Sequence, residues 1–245
     1  MHQLSKRLYL FFVFFLLFDS TFELNLREER LALRQLRSSL GLRDKEWPIR
    51  ANSCTNWKGI RCKNGHVTEI NISGFQRTTV GQQNPQFSVE ALQNLTFLET
   101  FNASNFALPG PIPQWFGFKL ASTLQILDLR FCSITGHIPS NLGYLSNLTI
   151  LYLSNNNLTG IVPSGLGQLS SLAVLDLSRN SLVGSIPVSF GSLRNLIMLD
   201  MSSNYMSGPI PPSIGTLSKL RFLNLLNNSF SYSIAVQVGY LNKVD

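Results

Sequence analysis

A pattern that repeats at a constant interval dominates the sequence and limits the folds that it can adopt. The stretch LYLSNNNLTGIVPSGLGQL, from Leu151 to Leu169, returns as LDLSRNSLVGSIPVSFGSL, from Leu175 to Leu193. Five regular units begin at Leu124, Leu148, Leu172, Leu196 and Leu220. Leucine recurs at the fourth position of each unit, and leucine or methionine recurs at the sixth position. This alternation is typical of a strand, so each unit is predicted to open with a short strand.

Three further columns of the repeat predict how the units stack. The ninth position carries Cys132, Asn156, Asn180, Asn204 and Asn228. A buried amide at this position can hydrogen-bond the backbone of neighbouring turns. Glycine and then proline follow in each of the first four units, where they favour a sharp turn and an extended return. Since each unit can bury its leucines only against the next, the units are expected to stack into a solenoid with strands about 4.8 Å apart.

The segments ITGHIP, LTGIVP, LVGSIP and MSGPIP identify the type of repeat. They resemble the plant extracellular type of leucine-rich repeat, and the resemblance extends from about Glu23 to the end of the chain. It implies an α/β solenoid, a right-handed horseshoe or superhelix with a concave parallel sheet and a helical N-terminal cap. Less regular units begin at Val67 and Leu98, so the repeats are assigned to 67–245. The stretch from Gly74 to Glu90 departs from the pattern and is expected to loop outward.

Residues 1–22 are typical of a secretory signal peptide. Lys6 and Arg7 precede an apolar run from Leu8 to Phe18, and polar residues follow it. This run is well short of the roughly 20 apolar residues that a membrane-spanning helix needs. The chain is therefore predicted to enter the secretory pathway.

Residues 23–66 are predicted to cap the solenoid. Asn25 and Glu28 fit a capping box for a helix that buries one leucine-bearing face and ends near Gly41. Cys54 and Cys62 flank TNWKGIR, and a close pair in an oxidising compartment favours a disulfide. A zinc site would need more ligands than the nearby histidine supplies, so no metal is predicted. The helix and CTNWKGIRC together resemble the N-terminal cap of plant receptor-like kinases, which implies that the tryptophan packs inward.

The formal charge is +7, and most of the positive charge lies between Arg27 and Arg77. It indicates either an anionic partner, such as an acidic cell-wall polysaccharide, or simply a solvated basic face. Basic residues are not interleaved with aromatic ones, which argues against a nucleic-acid partner. No pattern in the sequence predicts a cofactor.

The concave sheet is the expected ligand-binding surface. Its third-position residues are Ile126, Ile150, Val174, Met198 and Phe222, and its fifth-position residues are Asp128, Tyr152, Asp176, Asp200 and Asn224. Both sets are expected to face solvent, where an apolar stripe beside an acidic one could hold a peptide with basic groups. Arg130 and Arg179 are expected to neutralise neighbouring aspartates. The alternative is that LDLS is only the consensus of the repeat, with no ligand involved.

No catalytic residues are predicted. Asp176 and Asp200 fall on adjacent strands, at a spacing of about 5 Å that would suit a retaining glycosidase. An open sheet provides no cleft that would raise the pKa of either carboxyl, however. The histidines are scattered, so no triad can be assembled from them.

Six sequons predict N-glycosylation, at Asn71, Asn94, Asn102, Asn147, Asn157 and Asn227. Asn71 and Asn102 both occupy the solvent-facing fifth position of their strands. Glycans there would shield the first two units, so a partner is expected to bind from Leu124 onward or on a lateral edge.

These features together predict a recognition module. The resemblance implies the ligand-sensing ectodomain of a plant leucine-rich-repeat receptor-like serine/threonine kinase, with a protein or peptide ligand and a co-receptor. The alternative is a secreted binding protein of the cell wall, similar to polygalacturonase-inhibiting proteins. Tyr232 and Ala235 break the repeat, and no closing cysteine pair follows. The chain is therefore expected to be part of a longer protein, whose membrane span would place it at the plasma membrane.

Overall fold

The computed structural model describes residues 27–77 and 90–231. The predicted signal peptide, the capping residue Asn25 and the chain beyond Ser231 lie outside the described residues. Most of the irregular stretch before Glu90 lies outside them as well. Within these two ranges, no helix is both long enough and apolar enough to cross a bilayer.

Helix α1 covers the first described residues of the cap, 27–40, and ends where Gly41 takes a φ of 63°. Leu33, Leu36 and Leu40 are buried on one face of α1, as their spacing predicts. Arg27, Arg30 and Arg34 are exposed on the opposite side of the helix. The helix therefore covers the apolar end of the repeat stack and presents charge to solvent.

A disulfide and a pair of tryptophans fix the segment after α1. The short helix α2, Ser53–Asn56, carries Cys54, which is bonded to Cys62 with a Cα–Cα distance of 5.5 Å. The ring of Trp57 stacks on that of Trp47, with centroids 4.9 Å apart, and both side chains are buried. The predicted disulfide and the inward packing of Trp57 are confirmed.

The described ranges contain thirteen strands, which we number in chain order. They are β1 (Ile60–Lys63), β2 (His66–Asn71), β3 (Thr100–Asn102), β4 (Ile126–Asp128), β5 (Thr135–His137), β6 (Ile150–Tyr152), β7 (Asn157–Ile161), β8 (Val174–Asp176), β9 (Ser181–Gly184), β10 (Met198–Asp200), β11 (Tyr205–Pro209), β12 (Phe222–Asn224) and β13 (Ser229–Ser231). The first sheet has the order β1-β2-β3-β4-β6-β8-β10-β12, and only the β1–β2 pair is antiparallel. The predicted stack with a parallel sheet is confirmed.

A second parallel sheet, of order β5-β7-β9-β11-β13, lies beside the first. Its strands follow the turn at the ninth position of each unit, and the glycine column lies within it in the left-handed region, as for Gly184 with a φ of 78°. Partners in the first sheet are offset by one full unit, as in the pair Ile150 and Val174. Partners in the second sheet have a shorter offset, since Ile161 pairs with Val183 and not with Ser185, which holds the same position in the next unit.

Short 3-10 helices form the outer side of the stack. They are Ser140–Tyr144, Ser164–Gln168, Val188–Ser192 and Pro212–Thr216, with Glu90–Asn94 in an earlier unit and the α-helix α3, Phe116–Lys119, in the unit between. A second column of glycines in the repeat, which includes Gly143, Gly167 and Gly191, keeps these helices close together. A Cβ on Gly143 would lie only 2.1 Å from the carbonyl oxygen of Gly165 in the next unit.

The ninth-position asparagines form a buried ladder along the core. The Nδ2 group of Asn180 donates to the carbonyl oxygens of Leu153 and Leu177, at 3.0 and 3.1 Å. Its Oδ1 atom accepts from the backbone N–H of Leu158 at 3.1 Å. In the unit that lacks asparagine, the buried thiol of Cys132 donates to the carbonyl oxygen of Ala103, with the sulfur and oxygen 3.1 Å apart. The ladder therefore continues through a weaker donor.

Candidate functional site

The third-position side chains form a continuous apolar row across the first sheet. Its members, in register from strand to strand, are Ile126, Ile150, Val174, Met198 and Phe222. Neighbouring strands are about 4.8 Å apart, so the apolar row is about 19 Å long. Phe222 is 44% exposed and the other four are half-buried. The row can therefore bury apolar side chains of an extended ligand without rearranging.

The fifth-position aspartates end their strands by accepting hydrogen bonds from the turn that follows. Oδ1 of Asp176 accepts from the backbone N–H and the hydroxyl of Ser178, at 3.0 and 2.7 Å. Asp200 and Ser202 make the same two bonds, at 2.9 and 2.7 Å. This geometry explains why LDLS recurs without any ligand, since the carboxylate stabilises the local turn.

The second carboxylate oxygens of these two aspartates also have partners. Oδ2 of Asp176 accepts from the hydroxyl of Ser154 at 2.6 Å, and Oδ2 of Asp200 accepts from Nδ2 of Asn224 at 3.1 Å. Neither aspartate forms an ion pair within the described ranges. They therefore leave two negative charges beside the apolar row, suited to attracting cationic groups.

Asp128 is the exception in this column, because Arg130 covers it. The guanidinium makes two hydrogen bonds to the carboxylate, Nε to Oδ1 at 3.0 Å and Nη2 to Oδ2 at 2.7 Å. The guanidinium carbon also lies 4.2 Å from the ring centroid of Tyr152. Asp128 is only 3% exposed, so the prediction that it faces solvent was wrong. The hydrogen bonds to Asp128 raise the pKa of Arg130 further.

Arg179 does not act as predicted. Its side chain is exposed and forms no ion pair in the part of the chain that the structure describes. Its backbone lies in the left-handed region, with a φ of 54°. The expected neutralisation of an aspartate therefore occurs at Arg130 and not at Arg179.

Sequence reasoning missed three exposed apolar side chains that flank these strands. Ile197 precedes β10 and is 43% exposed, whereas Phe131 and Leu226 follow β4 and β12 and are 52% and 72% exposed. Phe131 also takes a left-handed φ of 56°. The position of Phe131 is held in the following units by Asn155, Arg179, Ser203 and Asn227. An aromatic residue at a position that is otherwise polar was therefore the signal available in the sequence.

The sequons lie on different surfaces. Asn71 and Asn102 are paired in register on β2 and β3, and their Oδ1 atoms accept from the backbone N–H groups of Ser73 and Ser104. The side chains of the other four asparagines are exposed, namely those of Asn94, Asn147, Asn157 and Asn227. Nδ2 of Asn147, the atom that would carry a glycan, donates to the carbonyl oxygen of Ser122 at 2.7 Å. Glycosylation of all six stays a prediction.

Comparison with known families agrees with this architecture. A family model described as a leucine-rich repeat region matches residues 104–245, which is more than half of the chain. The chain belongs to the leucine-rich-repeat family. A probable LRR receptor-like serine/threonine-protein kinase of Arabidopsis thaliana is 57% identical over 119 residues. That match covers 49% of the chain but only 13% of the relative.

Solved structures of plant receptor ectodomains have the same fold. The LRR ectodomain of the Arabidopsis thaliana membrane receptor kinase GASSHO1/SCHENGEN3, in complex with CASPARIAN STRIP INTEGRITY FACTOR 2, is 31% identical with a TM-score of 0.73. The match covers 86% of the chain and 25% of that structure. The Arabidopsis HAESA ectodomain, in complex with an extended IDA peptide hormone, is 28% identical with a TM-score of 0.77. Here the match covers 89% of the chain and 36% of that structure.

Proposed function

We propose that the chain is a ligand-recognition module of a plant leucine-rich-repeat receptor-like kinase and that it binds a peptide on its concave sheet. The observation that carries the proposal is the in-register apolar row, with two negatively charged aspartates beside it. The chain resembles the ectodomains of receptor kinases that were crystallised with peptide ligands. By analogy it lies on the extracellular side of the plasma membrane, where a co-receptor would complete the complex.

The surface favours one kind of peptide. Apolar side chains of an extended segment would contact the row from Ile150 to Phe222. Lysine or arginine side chains would lie near Asp176 and Asp200, which have no cationic partner within the described ranges. Arg130 is already paired with Asp128, so its charge is not free to pair with a ligand. Its guanidinium lies over the ring of Tyr152, and the two together offer the ligand a flat surface. The curated relatives are receptors, which favours this function over an inhibitor of wall-degrading enzymes.

Photocrosslinking tests where a ligand binds. A benzophenone amino acid is introduced at Met198, in the apolar row, and in a matched variant at Val188, which is 72% exposed on the outer 3-10 helices. Each protein is illuminated with a fraction of secreted plant peptides and analysed by mass spectrometry. We expect peptide adducts at Met198 and none at Val188. Equal labelling at both positions, or adducts at Val188 alone, would contradict the proposal.

A charge substitution gives the second test. Ile150→Asp places a carboxylate at the second of the five positions of the row and should abolish binding of the crosslinked peptide, while Val188→Asp should leave the Kd of that peptide unchanged. Both positions keep some solvent exposure, so both variants should retain a thermal midpoint close to the wild-type value. Retained binding by a folded Ile150→Asp variant would place the ligand on another surface.

A further inference from the structure

Positive charge is concentrated in the cap. Residues 27–77 contain eleven lysines and arginines against five aspartates and glutamates, a net charge of +6. Residues 90–231 contain six basic residues against five acidic ones, a net charge of +1. The cap therefore supplies nearly all of the positive field of the described chain.

Most acidic groups of the cap already have partners. The ion pairs and carboxylate contacts there are Glu29 with His66, Asp44 with Arg37, Glu46 with Arg43 and Glu69 with Arg61. The Glu29 carboxylate is buried and also accepts from the backbone N–H of Val67 at 2.9 Å. None of these contacts involves Arg30, Arg34 or Arg50, and no ion pair of these three occurs among residues 27–77 and 90–231.

These three arginines line one cleft. The cleft encloses about 270 Å³ between α1 and the loop that precedes α2. Asn52 and Ser53 add polar groups to its wall, and Ile49, which is 42% exposed, adds an apolar side chain. No carboxylate of the described residues lines it. It therefore combines cationic, hydrogen-bonding and apolar surfaces in one small space.

The placement of the arginines is unfavourable without an anion. Arg30 and Arg34 are four residues apart on α1, so their Cβ atoms lie about 5–6 Å apart and the like charges destabilise the helix. Arg50 adds a third positive charge from the opposite wall. A guanidinium binds a carboxylate through two parallel hydrogen bonds, and three arginines around one cleft can bind more than one carboxylate.

We propose that this cleft binds an acidic polysaccharide through its uronate carboxylates. Arg27 continues the line of arginines one turn further along α1, so a linear chain of carboxylates can contact several of them. Hydroxyl groups of the sugar would hydrogen-bond Asn52 and Ser53, and the apolar face of a sugar ring would contact the exposed side chain of Ile49. The site lies in the cap, apart from the apolar row, and does not depend on the function proposed for that row.

The test compares two triple variants of the whole chain that lose the same charge. The first is Arg30→Gln, Arg34→Gln and Arg50→Gln. The matched control is Lys45→Gln, Lys58→Gln and Lys63→Gln, three exposed lysines of the same cap that do not line the cleft. Binding of an unesterified galacturonate oligomer is measured by calorimetry at low and at physiological salt. The fully methyl-esterified oligomer serves as the uncharged probe.

We expect the arginine variant to bind the galacturonate oligomer roughly 10-fold more weakly or worse. The lysine variant should stay within about twofold of the wild-type protein, and the ester should not bind. Equal losses in both variants would overturn the proposal in favour of diffuse charge attraction. Binding of the ester would exclude carboxylate recognition, and cleft-dependent binding of dextran sulfate without galacturonate would assign a sulfated ligand instead.

Folding of the variants can be checked directly. The three arginine side chains make no ion pair within the described chain, and Arg30 and Arg34 repel each other, so their loss should leave the thermal midpoint unchanged or slightly higher. Should the triple variant melt early, Arg50→Gln alone, outside α1, replaces it and is expected to bind roughly threefold more weakly. Unchanged affinity in a folded Arg50→Gln variant would contradict the proposed site.

Discussion

Replacing Asn156 by alanine should destabilise the protein more than replacing Asn180, although both asparagines hold the same position in the repeat. Oδ1 of Asn156 accepts from two backbone N–H groups, those of Cys132 and Ile134, each at 3.0 Å. Oδ1 of Asn180 accepts only from the N–H of Leu158, at 3.1 Å, among the contacts of the described chain. The difference arises one unit earlier, where cysteine replaces asparagine in the ladder.

The magnitude follows from the number of buried donors left without an acceptor. Each orphaned N–H costs about 1–3 kcal/mol. Asn156→Ala orphans two and should lower the free energy of unfolding by about 2–6 kcal/mol, whereas Asn180→Ala orphans one and should cost about 1–3 kcal/mol. The carbonyl groups that accept from the asparagine side chains contribute less to the difference in stability. The oxygen of Leu153, for example, accepts from both Asn156 and Asn180, so it keeps one donor in either variant.

Urea unfolding followed by circular dichroism measures both variants. Stacked repeats can lose cooperativity, so the m-values of the two variants must agree before their free energies are compared. Hydrogen exchange gives a local readout, since the amides of Cys132 and Ile134 should lose protection only in Asn156→Ala. Equal losses for the two variants, within about 0.5 kcal/mol, would refute the reasoning.

Three further perturbations test other parts of the structure. Cys54→Ser with Cys62→Ser opens a loop with a sequence separation of 8, which should lower the free energy of unfolding by about 2–3 kcal/mol in urea. Gly143→Ala forces a Cβ to within 2.1 Å of the Gly165 oxygen and should cost about 1–3 kcal/mol, seen as a lower thermal midpoint. Burial raises the pKa of the Cys132 thiol from 9.0 to about 12, so thiol reagents at pH 8 should label it only after unfolding.

Each of these predictions has its own control. Dithiothreitol should not destabilise the double serine variant further, because that variant no longer has the Cys54–Cys62 disulfide. A lower stability of this variant in dithiothreitol would contradict the assignment of its stability loss to the disulfide. Gln168→Ala, on the exposed side of a neighbouring 3-10 helix, should change stability by less than about 0.5 kcal/mol. The raised pKa of Cys132 favours the native state fully below pH 9, and this contribution is lost as pH rises toward about 12. Rapid labelling of the native thiol at pH 8 would contradict its burial.

The parts of the molecule that repeat could be predicted from the sequence, because each unit makes the same contacts with the next. The leucine columns, the asparagine ladder and the parallel sheet all follow from that regularity. The burial of Asp128 could not be predicted, since it depends on Arg130, whose position is held by serine in the next three units, as at Ser154. The cap cleft was also missed, because Arg50 comes from an irregular loop whose path no period specifies.

The shorter offset between partners in the second sheet has a practical effect on how variation among the repeats is interpreted. Ile161, Val183 and Tyr205 sit at three different places in their units, yet the strand register sets them side by side. All three are exposed, by 66%, 41% and 69%. An alignment of the units by repeat position would place these three residues at three different positions, so it would not show that they are neighbours. Residues that form one patch on this side of the stack therefore lie at positions that shift from one unit to the next. Substitutions that probe such a patch must be chosen by the strand register and not by repeat position.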